Sequence, residues 1–238
     1  MKPSNHDPQE LEKFEAISNR WWDLKGEFAP LHTINPLRLG WIKSIANGIQ
    51  DKKILDVGCG GGILAESMAR HGADVLGIDL GEQSIQVARN HAIMENIHNL
   101  EYRTVAVEEL AKISPQQYDI ITCMELLEHV PNPAAIIQSC AQLLKPHGLV
   151  FFSTINRNPK SFLYTIVGGE YLFKLMPKGT HNFNRYIKPN ELSSFSELAG
   201  LTQMNTIGLH YSPIGKYFWL APDITVNYMT SCIKTSTS

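Results

Sequence analysis

This 238-residue chain carries only four cysteines (Cys59, Cys123, Cys140 and Cys232), none in CxxC or CxxxC spacing. A disulfide framework or a structural zinc site is therefore not expected, and scattered Cys in apolar runs behave as small hydrophobes in a reducing cytoplasm. Charge of one sign is also scarce, with a formal net charge of −2. That excludes a dedicated nucleic-acid binder, which needs a broad excess of base. No uninterrupted apolar run approaches the roughly 18 residues of a bilayer-spanning helix. Residues 1–15 are polar, without the apolar centre of a secretory signal. Internal repeats and low-complexity tracts are missing too. What is present is ordinary globular material, 43% hydrophobic and 18% charged, enough for one well-filled core.

Apolar runs alternate with helix-period segments. The runs Lys53–Val57, Ala73–Asp79, Leu100–Val105, Tyr118–Met124 and Gly148–Thr154 read as five strands buried on both faces. Between them, 63–70, Glu82–Asn96 and Pro133–Leu144 read as helices. The pattern predicts an α/β fold, a doubly wound and mostly parallel sheet with crossover helices. Residues 1–50 read as a helical cover interrupted by an Asn35-Pro36-Leu37-Arg38 turn. Residues 189–238 add a helix (Pro189–Ala199) and two strands near 202–209 and 224–233, for seven strands in all.

The segment Asp56-Val-Gly-Cys-Gly-Gly-Gly62 joins a strand to a helix, where backbone amides face a ligand. A phosphate-cradling P-loop needs Gly-Lys-Ser/Thr, but Ile63-Leu64 follow Gly62. The dinucleotide pattern beginning at Gly58 and Gly60 needs a small residue at position 63, and Ile63 occupies it. S-adenosylmethionine (SAM) has no phosphate to cradle and suits the loop. Asp56 would then hold its ammonium group, and Asp79, at the tip of the second strand, its ribose hydroxyls.

Glu125, Glu128 and His129 follow the fourth strand. If that segment turns helically, their spacing places all three on one face. They could ligate a divalent metal, with Mg²⁺ favoured by the hard oxygen ligands, or form an acid–histidine pair without metal. His129 or Glu128 could also take the proton of an acceptor hydroxyl.

Residues 156–188 interrupt the pattern. They hold Arg157, Lys160, Lys174, Lys178, Arg185 and Lys188 against Glu170 alone, interleaved with six aromatics. Phe162, Ile166, Phe173 and Met176 trace an apolar helical stripe. Such a strip fits an anionic membrane surface, an active-site lid, or both.

The core 51–155 resembles the class I, Rossmann-like SAM-dependent methyltransferases. The whole chain is similar to the ubiquinone biosynthesis O-methyltransferases. The closer likeness lies in Phe14-Glu-Ala-Ile-Ser-Asn-Arg-Trp-Trp-Asp23, Leu31-His32, Ile34-Asn-Pro-Leu-Arg-Leu-Gly40, Leu55–Gly62, Thr122-Cys-Met-Glu-Leu-Leu-Glu-His-Val-Pro131 and Val226-Asn-Tyr-Met229. The resemblance implies one catalytic domain over 1–238, methylating phenolic hydroxyls of polyprenylated precursors. It implies Arg38, Gly58, Asp79 and Met124 as SAM contacts, and Mg²⁺ at Glu125, Glu128 and His129. It also implies a peripheral position at the inner membrane, among other ubiquinone-biosynthesis proteins. A SAM-binding protein without catalysis, and a methyltransferase with another acceptor, are the competing readings.

Overall fold

The computed structural model describes residues 5–161, 183–212 and 214–235. Eight strands form one sheet: β1 (Lys53–Val57), β2 (Asp74–Asp79), β3 (Leu100–Thr104), β4 (Tyr118–Met124), β5 (Leu144–Ile155), β6 (Leu201–Ser212), β7 (Tyr217–Ala221) and β8 (Asn227–Lys234). Their order is β3-β2-β1-β4-β5-β8-β6-β7, with β1 to β5 parallel and the last three joined antiparallel. The chain order reverses between β1 and β4. In open α/β sheets the crevice outside the carboxyl ends of such strands is where ligands bind.

The strands are continuously apolar because helices cover both faces. Leu55, Val57, Ile121 and Cys123 pack on α5 (Val107–Ile113), α6 (Pro133–Leu143) and the Pro189–Leu198 helix. Their neighbours Ile54, Val75, Ile120 and Phe151 pack on α2 (Ala29–Ile45), α3 (Ile63–Arg70) and α4 (Glu82–Met94). Side-chain alternation along a strand thus feeds two cores with one apolar run. Ile54 and Leu55 are both fully buried, and each such side chain contributes about 1.5–3 kcal/mol.

Three expectations change. The sheet has an eighth strand, β7, which hairpins back from β6. Residues 35–38 form no turn: they lie inside α2, whose Pro36 removes one donor without ending the helix. There the side-chain amide of Asn35 donates to Ile63 O (3.2 Å) and Ser67 Oγ (2.7 Å), pinning α2 to α3. A short helix, α5, also occupies the crossover between β3 and β4. Ahead of α2, α1 (Pro8–Ala16) begins at Asp7, whose carboxylate caps Gln9 N at 3.0 Å. All four cysteines are free and buried. Phe162, Ile166, Phe173, Met176, Lys174 and Lys178 of the basic strip lie outside the described residues.

Candidate active site

The glycine loop leaves β1 with Gly58 and Cys59 donating together to Ile78 O at 2.8 and 3.0 Å. Gly58, Gly60 and Gly62 all have positive φ, the region that glycine enters without strain. A second constraint comes from above. A Cβ at Gly60 or Gly61 would collide with the Trp21 ring. Trp21 is stacked on Phe28 at 3.7 Å and donates from Nε1 to Ser84 Oγ at 3.1 Å. Trp22 donates to Gly61 O at 3.0 Å and stacks on His91 at 3.4 Å. The paired tryptophans are the clamp that shapes the loop.

Two buried carboxylates flank it. Asp79 accepts from Gly60 N (3.0 Å) and Gly81 N (2.8 Å); burial still raises its pKa against those bonds. Asp56 accepts from Thr122 Oγ1 at 2.6 Å, its cross-strand partner. Burial pushes Asp56 up to about 7, with Thr122 and Arg38 pulling the other way. A cation bound beside it would restore its charge.

Arg38, 6% exposed, donates from Nη2 to Glu125 Oε1 at 2.7 Å. Its Nε is buried with no partner among the described residues, a donor suited to an incoming carboxylate. Part of the guanidinium is thus already engaged by Glu125. Glu125 sits at φ +53°, a strained conformation for a residue with a side chain. It is held there by its N–H to Ser153 O (3.1 Å) and Ser153 Oγ (3.0 Å), and its carboxylate takes the Ser153 hydroxyl at 2.8 Å and the Asn227 amide at 3.3 Å. Burial opposes ionisation of Glu125, but Arg38, Ser153 and Asn227 outweigh it and hold its pKa below normal.

The helical face expected for Glu125, Glu128 and His129 does not form. Only Leu127–His129 make a single 3₁₀ turn, and the left-handed Glu125 lies upstream. Glu128, buried and accepting from Thr154 Oγ1 at 2.8 Å, is pushed up to about 7 by burial and by the Glu125 charge. His129 Nδ1 faces Glu10 Oε2 at 2.9 Å, and the Phe14 ring stands edge-on to it at 5.2 Å. Burial lowers the His129 pKa, but the Glu10 bond and the Glu128 charge more than reverse that. Arg185 ties the arrangement together, donating to His129 O (3.3 Å) and pairing with Asp7 (2.5 Å). Among the described residues no three His, Cys, Asp or Glu side chains are grouped to hold a metal. The three expected ligands are committed to Arg38, Thr154 and Glu10 instead.

Arg38, Asp56, Gly58, Gly60, Asp79, Met124, Glu125, Glu128 and His129 all line one cavity of about 940 Å³. That is near the top of the roughly 300–1,000 Å³ range of small-molecule sites, enough for two ligands side by side. Several contributors were not legible as site residues. Glu10 and Ser153 carried no local signal, and Trp21 and Asn227 were conspicuous without a visible role.

A methyltransferase-domain family model matches residues 36–206. A ubiquinone biosynthesis O-methyltransferase of Acinetobacter baylyi is 58% identical over 98% of both chains. The chain belongs to this family. Another member, from Pseudomonas fluorescens, is 52% identical over 97% of this chain and 99% of its own. The chain is accordingly a SAM-dependent O-methyltransferase. Among solved structures, magnesium protoporphyrin IX methyltransferase from Synechocystis, with bound SAH, aligns with TM-score 0.66 and 18% identity, covering 95% of this chain and 100% of that one. A SAM-dependent methyltransferase from Methanosarcina mazei aligns at TM-score 0.63 and 19% identity, over 82% of this chain and 98% of its own. These distant likenesses establish the class I methyltransferase fold.

Proposed function

We propose that this O-methyltransferase acts on phenolic hydroxyls of polyprenylated ubiquinone precursors, converting 3-demethylubiquinol to ubiquinol and 2-polyprenyl-6-hydroxyphenol to 2-polyprenyl-6-methoxyphenol. The observation that carries the reading is one cavity holding both the glycine-loop carboxylates and the Glu128–His129 pair. Helical cover (1–50), core (51–155) and C-terminal segment (189–238) all contribute to its lining, which supports one catalytic unit over 1–238 with 156–188 as its insertion.

SAM supplies an electrophilic methyl group on a sulfonium centre. Asp79 holds the ribose hydroxyls, Asp56 the ammonium, the unpartnered Arg38 Nε the carboxylate, and Met124 the apolar flank. Gly58 and Gly60 allow the close approach. Holding acceptor and donor in line supplies much of the acceleration. The acceptor is a phenol with pKa of about 10 that must lose its proton. Glu10 takes the Nδ1–H of neutral His129, leaving Nε2 to accept that proton as the oxygen–carbon bond forms. Glu128, held by Thr154 Oγ1 at 2.8 Å, lies close enough to His129 for its charge to favour the imidazolium that forms.

Mg²⁺ does not fit the donor set, because Glu125 is paired with Arg38 and His129 with Glu10, so no step runs through a metal. We place the enzyme in the cytoplasm, peripheral to the inner membrane and near other ubiquinone-biosynthesis proteins. Among the described residues no helix is long and apolar enough to cross a membrane. Among the described basic residues of 156–188, Arg157, Lys160 and Arg185 are ion-paired to Glu191, Asp223 and Asp7, and Lys188 is exposed.

Incubation with methyl-labelled SAM and short-tailed forms of both precursors tests the reading. Label should enter a methoxy group of each, and His129→Ala should slow transfer by about 10²–10⁴-fold. Absence of labelled product with the wild type overturns the substrate assignment. Undiminished transfer by His129→Ala overturns the role of the base.

A further inference from the structure

The antiparallel end of the sheet adds a feature that the methyl-transfer chemistry leaves unused. In the β6–β7 hairpin, Leu209 pairs with Leu220 and Tyr211 with Phe218, so these four residues share one face. The Tyr211 and Phe218 rings lie 4.7 Å apart. Leu209 is buried and the two rings are half-buried, and all three line the same cavity as Glu125 and His129. The link to the reacting end is direct. Leu209 is the cross-strand partner of Asn227, and Asn227 donates to the Glu125 carboxylate. Leu209 and Asn227 thus lie one strand spacing (about 4.8 Å) apart, and the apolar face shares the cavity with His129 and Glu125. At the tip of the hairpin Ile214 is 97% exposed, and Tyr217, on the face opposite Phe218, is 55% exposed.

We propose that Leu209, Tyr211 and Phe218 form the subsite for the isoprenoid tail of the acceptor, leading it from the catalytic cavity to the hairpin tip. The proposal rests on the polyprenylated-phenol reading above. A branched, polyunsaturated hydrocarbon has no hydrogen bond to offer, so it is recognised by apolar area and ring faces. Those are what this face presents. The subsite also explains how a cavity with a charged floor accepts a hydrocarbon: the polar groups gather at the strand ends and the tail stays on the hairpin.

Steady-state kinetics in detergent solution test it, with saturating SAM and demethylated quinol analogues bearing no tail or one to three isoprene units. For the wild type, kcat/KM should climb with tail length. In Phe218→Ala and Tyr211→Ala the ratio of kcat/KM for the longest-tailed over the tail-less acceptor should fall about tenfold, the low end of what a lost apolar contact in a pocket does. Phe218→Leu, which keeps apolar bulk, should restore most of the ratio and guards against a folding defect. An unchanged ratio in both alanine variants overturns the subsite. Loss of vesicle sedimentation with the ratio intact also overturns it, assigning the hairpin to the bilayer instead. If the wild type methylates the tail-less quinol without any tail preference, only the subsite falls. If it methylates no quinol, the substrate assignment falls and the subsite with it.

Discussion

The Arg38–Glu125 pair offers the sharpest check on how the site is held together. Arg38 and Glu125 side chains are 7% and 23% exposed, and they meet at 2.7 Å. Breaking a fully buried pair from one side costs about 3–5 kcal/mol, because the remaining charge is stranded. Arg38→Met strands Glu125, which keeps Ser153 and Asn227 and some water, so the loss should be about 2 kcal/mol. Glu125→Gln strands the more deeply buried Arg38, whose Nε already lacks a partner, and should cost about 3 kcal/mol. The double variant strands neither and should cost no more than the milder single change. Urea unfolding of the four proteins without SAM measures this directly, through a coupling energy of at least about 3 kcal/mol. Additivity to within about 0.5 kcal/mol would refute the reasoning, because it would mean that neither charge depends on the other. Adding SAM extends the test. At a hundred times its Kd a ligand stabilises by about 2.7 kcal/mol, and Arg38→Met should lose most of that increment if Nε holds the carboxylate.

Other expectations concern titration, the glycine clamp and metal. Glu10 is held down at about 2 by its bond to His129 and by Lys13, while the His129 pKa is raised. Their mutual stabilisation should fade as pH falls from the ordinary carboxylate range toward 2, and again as pH rises through the elevated His129 value. The difference in melting temperature between wild type and Glu10→Gln should therefore peak near pH 5–6; a difference constant from acid to alkaline pH contradicts the pairing. Glu128 titrates near 7 in the fold against the usual carboxylate value, so its contribution is complete at low pH and is lost as pH rises through 7. Glu128→Gln should flatten that decline between about pH 4.5 and 7 in thermal unfolding, and a parallel decline in both proteins would count against it. Gly61→Ala should lower stability by about 1–3 kcal/mol through overpacking against Trp21. Calorimetric titration with S-adenosylhomocysteine should show weakened binding as well. Turnover should be indifferent to EDTA, since the three acidic and imidazole groups are already partnered; a metal-restored loss of activity would reverse that conclusion.

The parallel half of the sheet was legible because its physics is local in sequence. An apolar run such as Ile120–Cys123 that is buried on both faces has no polar alternation, and the glycines of 58–62 punctuate the first crossover. The antiparallel end was harder to read. β7 is five apolar residues between loop signals, and nothing local says that Tyr217–Ala221 pairs back onto β6. Pro36 misled for a related reason. A proline usually marks a boundary, but here the packing of Ile34, Leu39 and Ile42 carries α2 past it.

From the chain alone came the α/β class, the strand-tip carboxylates Asp56 and Asp79, the glycine loop between them and the acid–histidine cluster after β4. Each is set by residue type and spacing within one strand–loop–helix unit. Tertiary structure alone decided what these groups face. It put Trp21 over the loop, Arg38 on Glu125, Glu10 on His129 and the β6–β7 aromatics along the cavity wall. Those partners are separated by tens to more than a hundred residues, for instance 119 between Glu10 and His129. Their pKa values and the fit to metal depend on burial and on distances of a few ångströms, which no spacing in a linear sequence encodes.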